Sequence, residues 1–364
     1  MEEEFPKIDI YLPQCNAQSV VGWNVGLRPY RTGGIRLELE KTNDDQSVYH
    51  NYGHGGAGAS LAPGCAKYIV ELFSKTEEIG KEIAVVGAGY AGLFTAKFLN
   101  EKGYKVTVYA AQMPEKDCVF KENHPCITSL VAGGYWMPFG ADVGDVELFE
   151  QLQKDSWNYY HRKIIDQSLP GLKIRNAYSL FPDDPLAKHP LVTGLIKSKK
   201  IKLSADGKNY IPAWSFETIH MDGNLLIPYL YENLSKKGIK FINKKFSSSS
   251  DLKTLNEKII FNCTGGGNLF NDPNLINIRG QTLYLIPQPE VDYFLFGPAI
   301  NTDDGRCPKC SIYPGSRHIS VGLTYEKSGN KELRVDQQTL ERLRLNVEHL
   351  VNLLTGKKAV PNTY

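Results

Sequence analysis

The chain has 364 residues, 41% hydrophobic and 23% charged, the balance of an ordinary globular protein with room for about two domains. That composition excludes disordered, collagen-like and coiled-coil classes. The 42 Lys and Arg against 40 Asp and Glu leave a net charge of +2, which offers nucleic acid or an anionic membrane no footprint. The longest mostly apolar stretch, 83–99, is broken by three glycines, Tyr90 and Lys97, so no membrane span is expected. The opening MEEEFPKID is acidic where a secretory leader is basic and then apolar. Seven cysteines then read as free thiols in a reducing compartment, and a soluble cytoplasmic protein is expected.

In chain order, GCAKYIVELFSK (64–75) reads as a helix. KEIAVVGAG (81–89) reads as a buried strand ending in a glycine turn. YAGLFTAKFLNEKG (90–103) follows with Leu93, Ala96, Phe98 and Leu99 at helical spacing, and Gly103 can end that helix. YKVTVYA (104–110) is a second strand, completing a βαβ unit. NLLIPYLYENLSKKG (224–238) is a helix closed by Gly238, with a strand-like IKFINKKF after it. KIIFNCTGGG (258–267) is a strand running into a Gly-rich turn. QTLYLI, VDYFLF and SRHISVGLTY alternate like antiparallel strands, and VDQQTLERLRLNVEHLVNLL (335–354) is the most periodic helix. The mixture predicts an α/β nucleotide-binding domain with an α+β partner.

Gly87, Gly89 and Gly92, with Ala88 between the first two, form GxGxxG after a strand and opening a helix. The first glycine permits the tight turn, the second lets backbone approach a pyrophosphate, and the third lets helix and strand pack closely. The diphosphate would rest on the helix N-terminus. The acidic residue expected about twenty positions on, for a ribose hydroxyl, is replaced by Ala110-Ala111-Gln112. The motif alone does not separate FAD from NAD.

Four further segments do. GLRPYRTGGIRLELE (26–40), HNYGHGGAG (50–58), SLVAGGYWMP (129–138), and FNCTGGG (261–267) with RGQT (279–282) resemble the D-amino-acid oxidase family of flavoproteins, which includes D-aspartate oxidase. The resemblance implies a Rossmann-like FAD-binding domain with a parallel sheet and an α+β substrate domain with an antiparallel sheet. The order differs from the family's, in which the dinucleotide motif opens the chain and the RPxR and HNYGHG segments close it. Each motif occurs once, so the chain reads as a circular permutation of one complete fold, with a fusion of two broken copies as the alternative. The helix at 64–75 would return to the sheet edge where the first strand starts. The expected domains are 27–139 with 219–285 for FAD, and 1–26, 140–218 and 286–364 for substrate.

The resemblance implies that Arg28 pairs with a substrate α-carboxylate, whereas structural salt bridges suit Arg31 and Arg36 better. It places Tyr325 in the substrate pocket, and Gly56 as an acceptor from the substrate amine. D-aspartate oxidases tend to carry arginine where Tyr325 stands, so a neutral D-amino acid is expected. Gly55, Gly56, Ala57, Gly58, Ala59 and Ser60 would line the isoalloxazine. Thr128, Ser129, Gly134 and Tyr135 would wrap the pyrophosphate and flavin. Thr264 and Gly265 would form a turn near the cofactor, and Phe246 would offer backbone to adenine. The activity implied is oxidation of a D-amino acid by FAD, with O2 as the second substrate.

A lid tyrosine usual in the family is missing, and Cys307-Pro-Lys-Cys310-Ser311 occupies that region, predicting a roof of smaller residues and two free thiols. The CxxC lacks a second pair, and His54, His124 and His318 lack ligand spacing, so no metal is expected. Two rival readings stay open. One is oxidation of D-aspartate or a glycine-type or N-alkyl amino acid, with Arg306 or Lys309 supplying a cation. The other is an FAD-binding protein without turnover. A homodimer is compatible with either.

Overall fold

A computed structural model describes residues 4–42, 46–76, 80–114, 127–187, 189, 192, 194–300, 309–322, 324–326 and 333–357. The run EIAVV forms β5 (Glu82–Val86), buried from Ile83 onward because layers cover both faces of its sheet. After the glycine turn comes helix α2 (Tyr90–Glu101), stopped at Gly103 with a φ of +85°. The chain returns as β6 (Lys105–Ala110), parallel to β5, so the expected βαβ unit is present. β10 (Lys240–Asn243) extends the sheet beyond β6, and β11 (Ile259–Asn262) lies parallel to β5 on the other side. The far flank of β11 takes β4 (Ser47–Tyr52) in parallel, and β3 (Arg36–Lys41) closes the edge antiparallel to it. The six strands run β10-β6-β5-β11-β4-β3.

Residues 36–52, far ahead of the glycine motif in sequence, are therefore woven into the sheet that carries it. Helix α1 (Gly58–Ser74) leaves the end of β4 and packs on α2. Since β4 and β5 both pair in parallel with β11, α1 is the crossover that carries the chain back to the start of β5. The helix expected at 64–75 has this place, and begins six residues earlier.

The second sheet has nine strands: β2 (Val20–Arg31), β1 (Lys7–Asp9), β7 (Leu172–Ser179), β8 (Lys199–Ser204), β9 (Ile211–Met221), β12 (Leu275–Leu285), β13 (Phe294–Gly297), β14 (Cys310–Tyr313) and β15 (Ile319–Gly322). Their order is β1-β8-β9-β7-β13-β14-β15-β12-β2, mostly antiparallel, with parallel pairing only of β1 with β8 and β7 with β13. Alternation divides its two faces. Leu283, Leu285, Leu295, Cys310, Ile312, Ile319 and Val321 point into one core, which α6 (Gln337–Leu354) seals with Leu340, Leu343, Val347, Leu350 and Leu354. Tyr284, Phe294, Phe296 and Tyr313 point the other way, into the core shared with α1, α2 and the parallel sheet. Asp336 caps α6 by accepting from the Gln338 amide.

The sequence reading did not anticipate α4 (Val146–Ile165), which packs on α1 and is capped by Asp145. Helix α5 (Gly223–Lys236) is capped by Asp222, and Gly238 beyond it has a φ of +86°. Among the described residues no helix is long and apolar enough to cross a membrane, and no group of three or more His, Cys, Asp or Glu is placed to hold a metal ion. Cys310 is a buried free thiol, whereas Arg306, Cys307 and His124 lie outside the described residues.

Candidate functional site

The turns at the C-terminal ends of β4, β5, β6 and β11 converge on one cavity of about 640 Å³. An open parallel sheet offers its ligand crevice at this place, because helix N-termini and unpaired backbone N–H groups collect there. Gly87, Ala88, Gly89, Tyr90 and Ala91 line it at the start of α2. Ala110, Ala111 and Gln112 follow from β6, Thr264, Gly265, Gly266 and Gly267 from β11, and Gly55, Gly56, Gly58 and Ala59 from the turn after β4. Thr128, Ser129 and Phe246 complete the wall, and Gly26, Leu27, Arg28 and Pro29 of β2 reach it from the larger sheet.

The glycines have steric reasons. Gly87 has a φ of +119°, and a methyl there would overlap the Cys263 carbonyl oxygen. A methyl on Gly92 would overlap the Gly87 carbonyl oxygen, so helix and turn touch backbone to backbone. A Cβ on Gly56 would stand 2.6 Å from the Phe139 carbonyl oxygen, and the Gly56 amide donates to the Gly140 carbonyl at 3.1 Å. These absent side chains leave a trough long enough for a dinucleotide, running from the Phe246 side to Arg28.

Side chains then fix the walls. Ser129 Oγ accepts from the Tyr90 amide at 3.1 Å, tying the segment after Ile127 to the first turn of α2. Thr128 Oγ1 donates to the Leu27 carbonyl at 3.0 Å, joining that segment to β2. Thr264 Oγ1 donates to Asn262 Oδ1 at 2.8 Å. Five expected site residues stand outside the lining, which instead rests on them. Gly92 is one. Ala57 is fully buried, Ser60 Oγ bonds the Met137 backbone, Gly134 is pressed against the Met221 carbonyl, and Tyr135 lies in an aromatic cluster with Phe294 and Phe296.

Arg28 projects from β2 onto β12, its Nη1 donating to the Thr324 carbonyl at 3.1 Å. The guanidinium lies flat on Gly280, where a methyl would overlap both terminal nitrogens. Burial lowers its pKa, offset by the rings of Tyr313 and Tyr325 beside it, and an arginine stays charged regardless. Among the described residues no carboxylate pairs with it. The neighbouring arginines differ: Arg31 pairs with Asp272 at 2.7 Å, Arg36 with Glu38 and Glu40, and Arg279 with Glu326 at 2.6 Å.

Tyr325 is half-buried; burial raises its pKa and the Arg28 charge acts against that. Tyr313 and Lys309 are the residues that sequence reasoning missed. The roof expected to be small instead carries both. Burial pushes the Tyr313 phenol up to about 12, although Arg28 beside it favours the phenolate. Lys309 Nζ sits 4.2 Å from the Phe139 ring centre and 5.7 Å from that of Phe296. Burial, then the Arg28 charge, bring it down to about 8. The available signal was the period of two: Cys310 and Ile312 read as core, so Lys309, Ser311 and Tyr313 fall on the opposite face.

The family model for FAD-dependent oxidoreductases (DAO) matches residues 82–360, beginning on the first residue of β5. The D-amino-acid oxidase of Fusarium vanettenii is 43% identical over 63 residues, 17% of this chain and 18% of its own length. The D-aspartate oxidase of Talaromyces thermophilus is 50% identical over 54 residues, 15% of each. The human D-aspartate oxidase is 23% identical over 252 residues, 67% of this chain and 69% of its own. The match thus spans less than a fifth of the first two relatives and about two thirds of the third. An L-amino acid deaminase from Proteus vulgaris superposes with a TM-score of 0.41 at 13% identity, over 69% of this chain and 62% of its own. With a family model covering well over half its length, the chain belongs to the FAD-dependent oxidoreductases of the DAO family.

Proposed function

We propose that this protein oxidises D-amino acids with FAD and passes the electrons to O2. The observation that carries the reading is Arg28, a buried guanidinium without a carboxylate partner among the described residues, at the end of a glycine-walled trough. The trough fits a dinucleotide: Gly87 to Ala91 would take the diphosphate on the α2 N-terminus, with Ser129 and Thr128 beside it. Gly55, Gly56 and Gly58 would meet the flavin ring, and Phe246 the adenine. FAD supplies the redox step, accepting a hydride from the substrate Cα, with O2 then reduced to H2O2 and the imino acid hydrolysed to a 2-oxo acid and ammonia.

What the chain's own residues do is bind and orient. Arg28 presents a fork to the α-carboxylate, which fixes Cα, and Tyr325 and Tyr313 flank that carboxylate. The Gly56 carbonyl accepts from the substrate amine. Tyr135, Phe294 and Phe296 form a dry floor that keeps water from the reacting carbon. No side chain in this arrangement is needed as a general base if the amine arrives neutral.

We read the six-stranded sheet and its helices as the cofactor domain, the nine-stranded sheet as the substrate domain, and the chain as circularly permuted. Three observations support the permutation. The family match begins at Glu82, residues ahead of it supply β3 and β4 of the cofactor sheet, and α1 serves as the crossover into β5. The functional test is anaerobic addition of D- and L-amino acids to the FAD-loaded protein. Bleaching of the flavin band by D-isomers alone is expected; a flavin that no D-amino acid reduces would sink the oxidase reading and leave a cofactor-binding role.

A further inference from the structure

Two buried cations look onto the space above the trough, and neither meets a carboxylate among the described residues. One is Arg28. The other is Lys309, which enters from the start of β14 on the face that also carries Tyr313, and Tyr313 stands beside Arg28. Its ammonium rests on Phe139 at 4.2 Å and Phe296 at 5.7 Å. Phe139 is the residue whose carbonyl covers Gly56, so Lys309, Phe139 and Gly56 form one stack at the flavin end of the trough. Ring faces attract an ammonium but accept none of its three hydrogen bonds in the way a carboxylate does. The charged groups that act on it are cationic or neutral: Arg28, and His189, whose protonation Lys309 itself disfavours. A buried cation left so, beside a second of the same sign, is costly in the empty protein. The cost is relieved by a ligand that brings two negative charges.

We propose that Lys309 determines specificity by receiving the side-chain carboxylate of an acidic D-amino acid whose α-carboxylate rests on Arg28. This rests on the oxidase reading and adds to it a substrate class, the D-dicarboxylic acids. It departs from the neutral substrate expected from Tyr325, because the second cation comes from a different strand. An amide isostere would leave the ammonium unpaired, and discrimination by an unpaired buried group is strong.

The test compares anaerobic flavin reduction by D-aspartate, D-glutamate, D-asparagine, D-glutamine and D-alanine in the wild type, Lys309→Met and Lys309→Arg. The wild type is expected to favour one of the acids over its amide by about tenfold or more in rate over KM. Lys309→Met should lose that preference through the acid alone, leaving the amides within about threefold, and Lys309→Arg should restore it. An amide used as well as its acid overturns the role of Lys309 and leaves the oxidase reading intact. Reduction by no D-amino acid overturns the oxidase reading, and ligand binding then decides Lys309 by itself. Malonate and succinate, followed by tryptophan fluorescence of the FAD-loaded protein, should bind about tenfold tighter than acetate and propionate, with the difference lost in Lys309→Met. Equal binding of the mono- and dicarboxylates overturns the inference.

Discussion

At the scale of single residues, Gly280 controls how Arg28 meets a carboxylate. Strand β12 carries no side chain there, and the guanidinium fills the vacated space face-down on the backbone. Gly280→Ala would push both terminal nitrogens off the strand while leaving the β2–β12 ladder able to form. The expected result is an unchanged flavin content and thermal midpoint with KM for the substrate raised about tenfold or more, the cost of losing one charge-assisted bond. Arg28→Lys should do the same and more, because an ammonium cannot offer the fork. Unchanged kinetics in Gly280→Ala would mean the guanidinium does not work from the position it occupies here.

At the scale of elements, β4 and the turn after it place two histidines inside the protein. His50 is buried on β4, its Nε2 3.1 Å from Glu40 Oε2 and its Nδ1 3.2 Å from Asn262 Nδ2. His54 lies in the turn at the cavity wall, 4% exposed, with Nε2 unpartnered among the described residues. Burial brings His54 down to about 4, and His318, stacked against Tyr284, to about 4 as well. A histidine whose folded pKa lies below its unfolded value of about 6.5 takes up its proton first in the unfolded chain. Stability therefore falls as pH drops from about 6.5 towards 4, by roughly 1–3 kcal/mol for each such group. Thermal melts between pH 7 and 4 check this, and His54→Asn should flatten the slope; a flat profile in the wild type would contradict it. Elements differ in how plainly the sequence announces them. β5, α2 and β6 are legible because a strand buried on both faces must be continuously apolar and its Gly turn is sterically forced. α6 is legible because one clean stripe is buried. α4 is not, since its inward face includes Gln153 and Ser156, the latter accepting from the Gly64 amide at 2.9 Å. β7 and β8 hide behind exposed lysines and arginine in KIR and KKIK. Lys309 was visible only as a possible cation, because its direction depends on the register of β14 against β13 and β15.

At the scale of the whole molecule, the question is what holds the first 76 residues to the rest. They do not form a separate unit. β2 pairs along nearly all of β12, β4 is inserted between β11 and β3, and α1 packs against both α2 and α4. Arg28 and Gly56, from this part of the chain, share one cavity with Gly87 and Thr264 from the other. A fusion of independent pieces would leave the first segment with its own core. Here Tyr49, Leu61 and Ile69 instead belong to one apolar cluster with Leu93, Phe94 and Phe261. If the order is a permutation of one fold, chain continuity between α1 and β5 is dispensable, because the contacts and not the connection position the two. A variant that begins at Gly80, runs to the C-terminus and continues through a flexible linker into residues 4–76 should fold and load FAD. It should reduce with the same substrate preference, its stability lower by about 1–2 kcal/mol from the altered loop closure. Circular dichroism, flavin content and the anaerobic reduction assay read the outcome together. Failure to fold in every linker length would show that the α1-to-β5 connection is structural, and the permutation reading would then give way to a chain whose order is built into its fold.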